Sequence, residues 1–283
     1  MTARAYVTII RPGNCLIASG AVAVAGLVAV GYSVLEHAAL VNLALACCAV
    51  FLFVGAGNTL NDYYDYDVDK VNHPDRPIPS GLIARGNALT LAVILFIPTF
   101  LLGLLISFES LAVVSISAVV IISYERKTKR KGFLGNLQIS WLVGGLFLFG
   151  GIAVYDNEAE ALLRVTALAA LAFLSTLGRE ITKDIEDLRG DRDRTTLPMS
   201  LGLGRSANLA RLFYAIAIVL SLVLFFMGTF GLSYLGLVLV ADTVFIASMA
   251  YMTGNPSLSS NLSKAAMVLA LTAFLFGGLG VGI

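Results

Sequence analysis

The sequence predicts an all-α protein that crosses a membrane about nine times. Of its 283 residues, 58% are hydrophobic and only 13% are charged, whereas a soluble domain usually carries roughly twice that charge. Long apolar runs recur along the chain, and a run of about 17–25 residues matches the hydrocarbon thickness of a bilayer. Strand-like alternation is absent, so each run is predicted to be a helix, which satisfies its own backbone hydrogen bonds in lipid.

The apolar runs define the predicted organisation of the chain. The predicted spans are 14–32, 39–60, 88–106, 110–124, 134–154, 161–178, 209–230, 232–252 and 263–283. Their connections on one side are short, and those on the other side include the long charged segments 61–87 and 179–208. Residues 1–283 are therefore expected to form one domain, a helical bundle with a cytoplasmic cap built from these two segments.

Lysines and arginines indicate which side is cytoplasmic. If nine spans alternate, eighteen of the nineteen basic residues lie on the side of the N-terminus, and only Arg164 lies on the other. Cytoplasmic loops carry the positive excess in membrane proteins. The N-terminus and both long segments are thus predicted to be cytoplasmic. Long loops in a compact bundle are usually functional.

The first long segment carries an acidic motif at the end of the second span. Asn61, Asp65 and Asp69 are spaced at i, i+4 and i+8, so they share one face if the helix continues past the membrane. Two carboxylates at this spacing repel each other unless a cation lies between them. Oxygen ligands without imidazoles or thiols favour Mg²⁺.

Two other interpretations of the first motif are available. It could be a solvated acidic loop without a ligand. It could also be a calcium-binding EF-hand loop, since Asp65, Asp67 and Asp69 match the first three ligand positions. The EF-hand fails at the remaining positions, because Lys70 stands where glycine is required and Arg76 where the bidentate glutamate belongs.

The second long segment repeats the acidic arrangement. Asp184, Asp187 and Asp191 stand at i, i+3 and i+7, which is again one helical face at the inner end of a span. One acidic cluster can arise by chance. Two clusters on matching faces, four spans apart on the same side, suggest opposed metal sites across a shared cavity.

Basic residues accompany the acidic motifs. Arg76 lies in R-P-I-P-S-G, and Y-E-R-K-T-K-R-K runs from Tyr124 to Lys131. Membrane topology alone explains lysines and arginines at an inner span end, and this interpretation stays open for Arg126, Arg130 and Lys131. Carboxylates, Mg²⁺ and cationic side chains together form the combination that holds a diphosphate.

These motifs resemble those of the UbiA superfamily of intramembrane prenyltransferases. The resemblance covers N-x-x-x-D-x-x-x-D, R-P-I-P-S-G, a second aspartate motif and the nine spans, and thus nearly the whole chain. It implies a ring of nine helices around a central cavity that opens laterally to lipid. It also implies that Asn61, Asp65 and Asp69 hold one Mg²⁺, that Asp184, Asp187 and Asp191 hold another, and that Arg76, Tyr124, Lys129 and Asn136 bind the diphosphate substrate. Tyr124 and Lys129 match a Y-x-x-x-x-K pattern of the family, in which serine more often follows the tyrosine, and Glu125 departs from this pattern.

Within the family, two segments resemble archaeal members that attach a second geranylgeranyl group to geranylgeranylglyceryl phosphate. They are I-R-P-G-N-C-L from Ile10 to Leu16 and K-D-I-E-D-L-R-G-D from Lys183 to Asp191. A phospholipid acceptor brings a further phosphate, which needs its own cationic partner. Arg11 and Asn14 are candidates for this acceptor side, although Arg11 could equally be a positive-inside anchor. A prenyl diphosphate, a lipid acceptor and membrane lipid are the expected partners, with neither nucleic acid nor an obligate protein partner.

Three other functions share some of these sequence features. An aromatic acceptor, 4-hydroxybenzoate or a naphthoate, would fit the same family. A CDP-alcohol phosphotransferase also uses Mg²⁺ and aspartates in a membrane, but it has a different motif and about six spans. A cation transporter would place its acids near the bilayer midplane, where the sequence has only Asp242. An intramembrane carboxylate is either functional or hydrogen-bonded to a neighbouring helix.

Overall fold

The chain folds into helices throughout the part that the structure describes. The structure, a computed structural model, describes residues 3–155, 158–189 and 195–280. Its helices are α1 Ala3–Ile10, α2 Pro12–Val30, α3 His37–Tyr64, α4 Tyr66–Asn72, α5 Arg85–Ile106, α6 Phe108–Ser123, α7 Phe133–Ala153, α8 Ala159–Glu186, α9 Leu197–Leu201, α10 Leu203–Phe226, α11 Leu232–Tyr251 and α12 Pro256–Gly278. Short 3₁₀ turns follow α2 and α8, at Gly31–Leu35 and Asp187–Arg189, and a π-helical turn, Tyr124–Thr128, follows α6.

Nine helical segments of the described residues are long and apolar enough to cross a membrane, which confirms the predicted fold class. Several helices extend beyond the predicted spans, because hydropathy marks the apolar stretch and polar residues continue a helix into water, whereas the seventh span ends at Phe226 rather than at 230. The sixth span ends at Glu186 rather than at 178, and the last begins at Pro256 rather than at 263. The predicted end of the last span, 281–283, lies outside the described residues.

The second helix, α2, packs against two groups of helices, which also contact each other directly through α7 and α8. The first group comprises α3, α5, α6 and α7, and the second comprises α8, α10, α11 and α12. Helix α2 contacts α3 and α7 of the first group and α8 and α12 of the second. Glycines permit two of these close approaches. A Cβ added at Gly150 would lie 2.4 Å from the Val22 carbonyl oxygen, and one at Gly278 would lie 2.6 Å from the Val28 Cα. Small residues at such crossings let helix backbones meet in membranes.

The outer surface of the bundle is apolar. Leu105, Val119 and Val268 are among many large aliphatic side chains that point away from the interior. Such a surface would aggregate in water but is solvated by lipid chains. The protein is therefore a multi-pass membrane protein.

One end of the bundle carries the charged segments. Residues 73–84 form a series of turns after α4, and Ile78 and Ile83 pack against α1 residues Ala5 and Ile9. The loop after the π-helical turn pairs with the segment before α9, through a bridge between Lys131 and Thr195. Together α1, α4 and these loops cover the end of the bundle at which the two aspartate motifs lie, as expected for the cap.

The charge asymmetry yields a topology prediction. Glu158→Cys and Asp75→Cys introduce thiols at exposed positions at opposite ends of the bundle, in a background whose three native cysteines are replaced by alanine. We expect an impermeant maleimide to label residue 158 in intact cells and to label residue 75 only after the membrane is opened, because basic loops stay in the cytoplasm. Labelling of both positions from one side would contradict the nine-span alternation.

Candidate active site

The first aspartate motif lies where α3 bends into α4. Asn61 is on the last turn of α3, and Asp65 stands between the two helices with φ −86° and ψ 5°. Backbone bonds continue through the bend, since the Asp65 N–H donates to the Asn61 carbonyl and the Asp69 N–H to the Asp65 carbonyl. The Asn61 side-chain amide donates to Asp65 Oδ2 at 3.0 Å. The predicted shared face therefore exists, although the helix is not straight.

A lysine from the π-helical turn closes this group. Lys129 Nζ forms ion pairs with Asp65 and with Glu125 Oε2, the second at 2.9 Å. The Asn61 amide also donates to Glu125 Oε2, at 2.9 Å. The wider turn of the π-helix, in which the Lys129 N–H bonds to the Tyr124 carbonyl, places Glu125 and Lys129 on the same side. Lys129, a predicted diphosphate ligand, thus lies beside Asp65, a predicted metal ligand.

The third residue of the motif has a cationic partner of its own. Asp69 is 3% exposed, and Arg76 Nη1 donates to both of its oxygens, at 2.8 and 2.7 Å. Asp69 and Arg76, a predicted metal ligand and a predicted diphosphate ligand, therefore contact each other directly.

Asp62 is a site residue that the sequence analysis missed. Its side chain is 2% exposed, accepts a hydrogen bond from Arg11 Nη2 and lies 3.6 Å from Arg76 Nη1. Asp62 follows Asn61 directly and therefore does not lie on the helical face that the predicted ligands share. Its place in the last turn of an apolar span could have indicated a site residue, because a carboxylate is buried there only with a partner.

Arg11 combines three unusual features. It lies between α1 and α2 with φ 52°, the left-handed region, and is the only non-glycine residue of the described chain with positive φ. Such a conformation costs about 1–3 kcal/mol and is found mainly at functional sites. Its guanidinium pairs with Asp62, and the residue also lines the cavity described below. Asn14, the other predicted acceptor residue, is exposed on α2 and is not in the wall of that cavity.

The second aspartate motif lies at the end of α8. Asp184 is 5% exposed, and the buried Asn136 amide of α7 donates to its Oδ2 at 2.8 Å. Asp187 is the exposed C-terminal cap of α8. Asp191 lies outside the described residues. The hydrogen bond from Asn136 links this motif to α7, a helix that also lines the cavity beside Asn61.

A cavity of about 330 Å³ begins at the first motif. Its polar wall consists of Arg11, Asn58, Asn61 and Glu125, and its remaining wall is apolar, with Phe53, Leu142, Val143 and Leu146 among its members. A small apolar cavity of about 30 Å³ shares Phe53, Leu142 and Leu146 with it. A third cavity, of about 190 Å³ and lined mostly by apolar residues, shares Val143. The arrangement suits an amphiphile with an anionic head and long apolar chains.

Asp242 lines the third cavity in the middle of α11. It is 6% exposed and accepts a hydrogen bond from Ser221 Oγ of α10 at 3.0 Å. This contact corresponds to the interhelical hydrogen bond that the sequence left as one of two interpretations.

The fold and the paired charges define a polytopic membrane protein with an intramembrane cavity that starts beside the first aspartate motif. Residues 17–279 match the model of the UbiA prenyltransferase family. The chain belongs to this family, and the predicted superfamily membership is confirmed.

The chain is also similar to individual members of this family. The chain is 36% identical to a digeranylgeranylglyceryl phosphate synthase of Methanosphaera stadtmanae, over 97% of this chain and 99% of the relative. A solved structure of a digeranylgeranylglyceryl phosphate synthase superposes with a TM-score of 0.87 at 32% identity, over 98% of each chain. The fold is also that of a UbiA homologue from Archaeoglobus fulgidus bound to GPP and Mg²⁺, with a TM-score of 0.69, 17% identity and coverage of 98% and 100%.

The contacts of Asp62 generate a prediction. Asp62→Asn removes the buried charge that pairs with Arg11, so the Arg11 guanidinium loses its position in the site, while Arg76 keeps its two hydrogen bonds to Asp69. We expect prenyl transfer by the purified protein to fall at least about tenfold, since small displacements of binding groups are costly in rate. Asp67→Asn is the matched control, because Asp67 is exposed on the same segment. Equal activity of the two variants would contradict the role of Asp62.

Proposed function

We propose that this protein transfers a geranylgeranyl group from its diphosphate to geranylgeranylglyceryl phosphate and so forms the second ether bond of archaeal membrane lipids. The observation that carries the proposal is the cavity of about 330 Å³, in whose wall Arg11, Asn58, Asn61 and Glu125 stand beside apolar residues such as Phe53 and Leu146. Relatives with this activity in their names, at 33–40% identity over nearly the whole chain, support it.

The donor set fits Mg²⁺ that is shared with a substrate. Among the described residues, no group of three or more acidic, histidine or cysteine side chains is close enough to hold a metal ion. Mg²⁺ is commonly bound by one or two carboxylates together with substrate phosphates, rather than by a cage of protein ligands alone. We assign one ion to Asn61, Asp65 and Asp69 and a second to Asp184, Asp187 and Asp191. When bound, Mg²⁺ neutralises charge on the departing diphosphate.

Cationic side chains take the remaining charge of the diphosphate. Lys129 lies beside Asp65, and Arg76 lies beside Asp69, so each cation is held next to a proposed metal ligand. Tyr124 precedes Glu125 in the π-helical turn, and Asn136 holds Asp184. Fixed donors that face developing negative charge lower the barrier to loss of a leaving group. If Arg76 turned from the Asp69 carboxylate to the diphosphate, Asp69 would be available to hold the metal ion.

The acceptor occupies the cavity beside Arg11. Its phosphate pairs with the Arg11 guanidinium, because arginine binds phosphate through charge-assisted hydrogen bonds, and Asn14 lies one turn along α2. The acceptor hydroxyl oxygen bonds to C1 of the geranylgeranyl group, the diphosphate leaves with the bonding electron pair, and the hydroxyl loses its proton. Apolar walls such as Phe53 and Leu146 keep water from the allylic carbon.

Substitutions at the two motifs test the metal assignment. Asp65→Asn and Asp187→Asn each remove a carboxylate ligand, and we expect each to lower the turnover number at least about a hundredfold. Both variants should remain folded, because Asp65 and Asp187 are not in the packed core. Glu186→Gln, next to Asp187 and also exposed, is the control. Turnover that persists in EDTA, or full activity in either variant, would contradict the two-metal assignment.

A direct assay tests the acceptor. The purified protein with Mg²⁺ and geranylgeranyl diphosphate should convert geranylgeranylglyceryl phosphate to the product with two ether-linked chains, detected by mass spectrometry. 4-Hydroxybenzoate and a naphthoate serve as competing acceptors. Prenylation of an aromatic acid without conversion of geranylgeranylglyceryl phosphate would overturn the lipid assignment and leave membership of the prenyltransferase family intact.

A further inference from the structure

Glu125 is a buried acid within a strongly basic segment. It lies in Y-E-R-K-T-K-R-K, where the four other charged residues up to Arg130 are cationic. Its neighbours Arg126 and Lys127 are exposed, whereas Glu125 is 6% exposed. All three residues lie in the π-helical turn Tyr124–Thr128, in which the Glu125 side chain is buried while those of Arg126 and Lys127 are exposed. Single π-helical turns are frequent at functional sites, and this one points an acid, rather than a base, into the protein.

The two carboxylate oxygens of Glu125 differ in their surroundings. Oε2 accepts hydrogen bonds from the Asn61 amide and from Lys129 Nζ, both at 2.9 Å. Within residues 3–155, 158–189 and 195–280, no donor forms a hydrogen bond with Oε1. Glu125 is also part of the cavity wall that contains Arg11. The carboxylate is therefore held in place through one oxygen, and its other oxygen can accept a hydrogen bond from a molecule in the cavity.

The charges around Glu125 favour a hydroxyl donor over a cation. Lys129 already contacts both Asp65 and Glu125, so an ammonium group lies between the two carboxylates. A neutral hydroxyl can hydrogen-bond to the remaining oxygen without displacing that lysine. Arg11, in the wall of the same cavity, complements a phosphate. A fixed acceptor and a guanidinium in one cavity match a molecule that bears both an alcohol and a phosphate.

We propose that Glu125 is a specificity-determining residue that accepts a hydrogen bond from the free hydroxyl of a glycerol phosphate acceptor. The inference rests on the proposed function, because it assigns a contact to the acceptor of that reaction. It also gives a physical reason for the acid that follows Tyr124. A carboxylate acceptor forms a stronger hydrogen bond with an alcohol than a neutral hydroxyl or amide does.

A binding cycle tests this contact without turnover. Geranylgeranylglyceryl phosphate and its analogue with hydrogen in place of the free hydroxyl are titrated into the purified full-length protein by calorimetry, without prenyl donor. We expect the wild type to bind the hydroxyl form about tenfold more tightly, as for a hydrogen bond to a charged group. In Glu125→Ala the two ligands should bind with dissociation constants within about twofold of each other. A general loosening of the site would weaken both ligands and leave their ratio unchanged.

Two further variants complete the test. Glu36→Ala, at an exposed position in the connection between α2 and α3, should keep the wild-type ratio. Glu125→Gln retains the size of the side chain and one neutral acceptor oxygen, so the ratio should fall to about threefold. This variant also decides the question if Glu125→Ala does not fold. A wild-type ratio in Glu125→Gln and in any folded Glu125→Ala would overturn the proposal.

The two proposals fail in different ways. If the wild type does not prenylate geranylgeranylglyceryl phosphate, the proposed function is wrong. If the wild type does so while removal of the Glu125 carboxylate leaves the preference for the hydroxyl unchanged, only the role of Glu125 is wrong.

Discussion

The pairing of buried charges at one end of the bundle is the constraint on which the site depends. Asp62, Asp69, Glu125 and Asp184 are each at most 6% exposed. A carboxylate can be withdrawn from water only where cations or hydrogen-bond donors replace its hydration. Each of these four acids has such a partner from another segment: Arg11, Arg76, Lys129 with Asn61, and Asn136. The paired charges therefore connect the ends of α2, α3, α7 and α8 that lie at the aspartate motifs, and they attach the loops at this end to the helices.

Local departures from regular helix geometry are concentrated where these pairs form. Arg11 adopts a left-handed conformation before Pro12, where an extended backbone is usual. The chain bends at Asp65, and a π-helical turn begins at Tyr124. Arg11 and Glu125, at two of these departures, are in the cavity wall, and Asp65, at the third, pairs with Lys129. The cost of an irregular backbone is offset by the contacts of the charged groups that it positions.

The contrast between the two ends of the cavity explains how one site serves chemistry on an amphiphile. Polar atoms are concentrated around Asn61 and Arg11, while Phe53 and Leu146 belong to the apolar continuation. In the proposed reaction, the diphosphate or phosphate head would lie at the polar end, and the hydrocarbon chains would extend along the apolar wall. Asp242, in the middle of α11, accepts a hydrogen bond from Ser221 of α10, so this acid forms a contact between two helices and is not part of the charged end.

The sequence by itself determined the class, the number of spans and the chemistry of the motifs. Hydropathy and the distribution of lysine and arginine are local properties that add along the chain, so nine spans followed from them, and the family followed from the motifs. The tertiary structure decided which charges meet. Arg11 and Asp62 are 51 positions apart, and Asn61 and Glu125 are 64 apart. The contacts of Asp62 and Glu125 were not predicted, because these partners depend on how packed helices bend and rotate against each other, and the residue spacing within one segment contains no information about that.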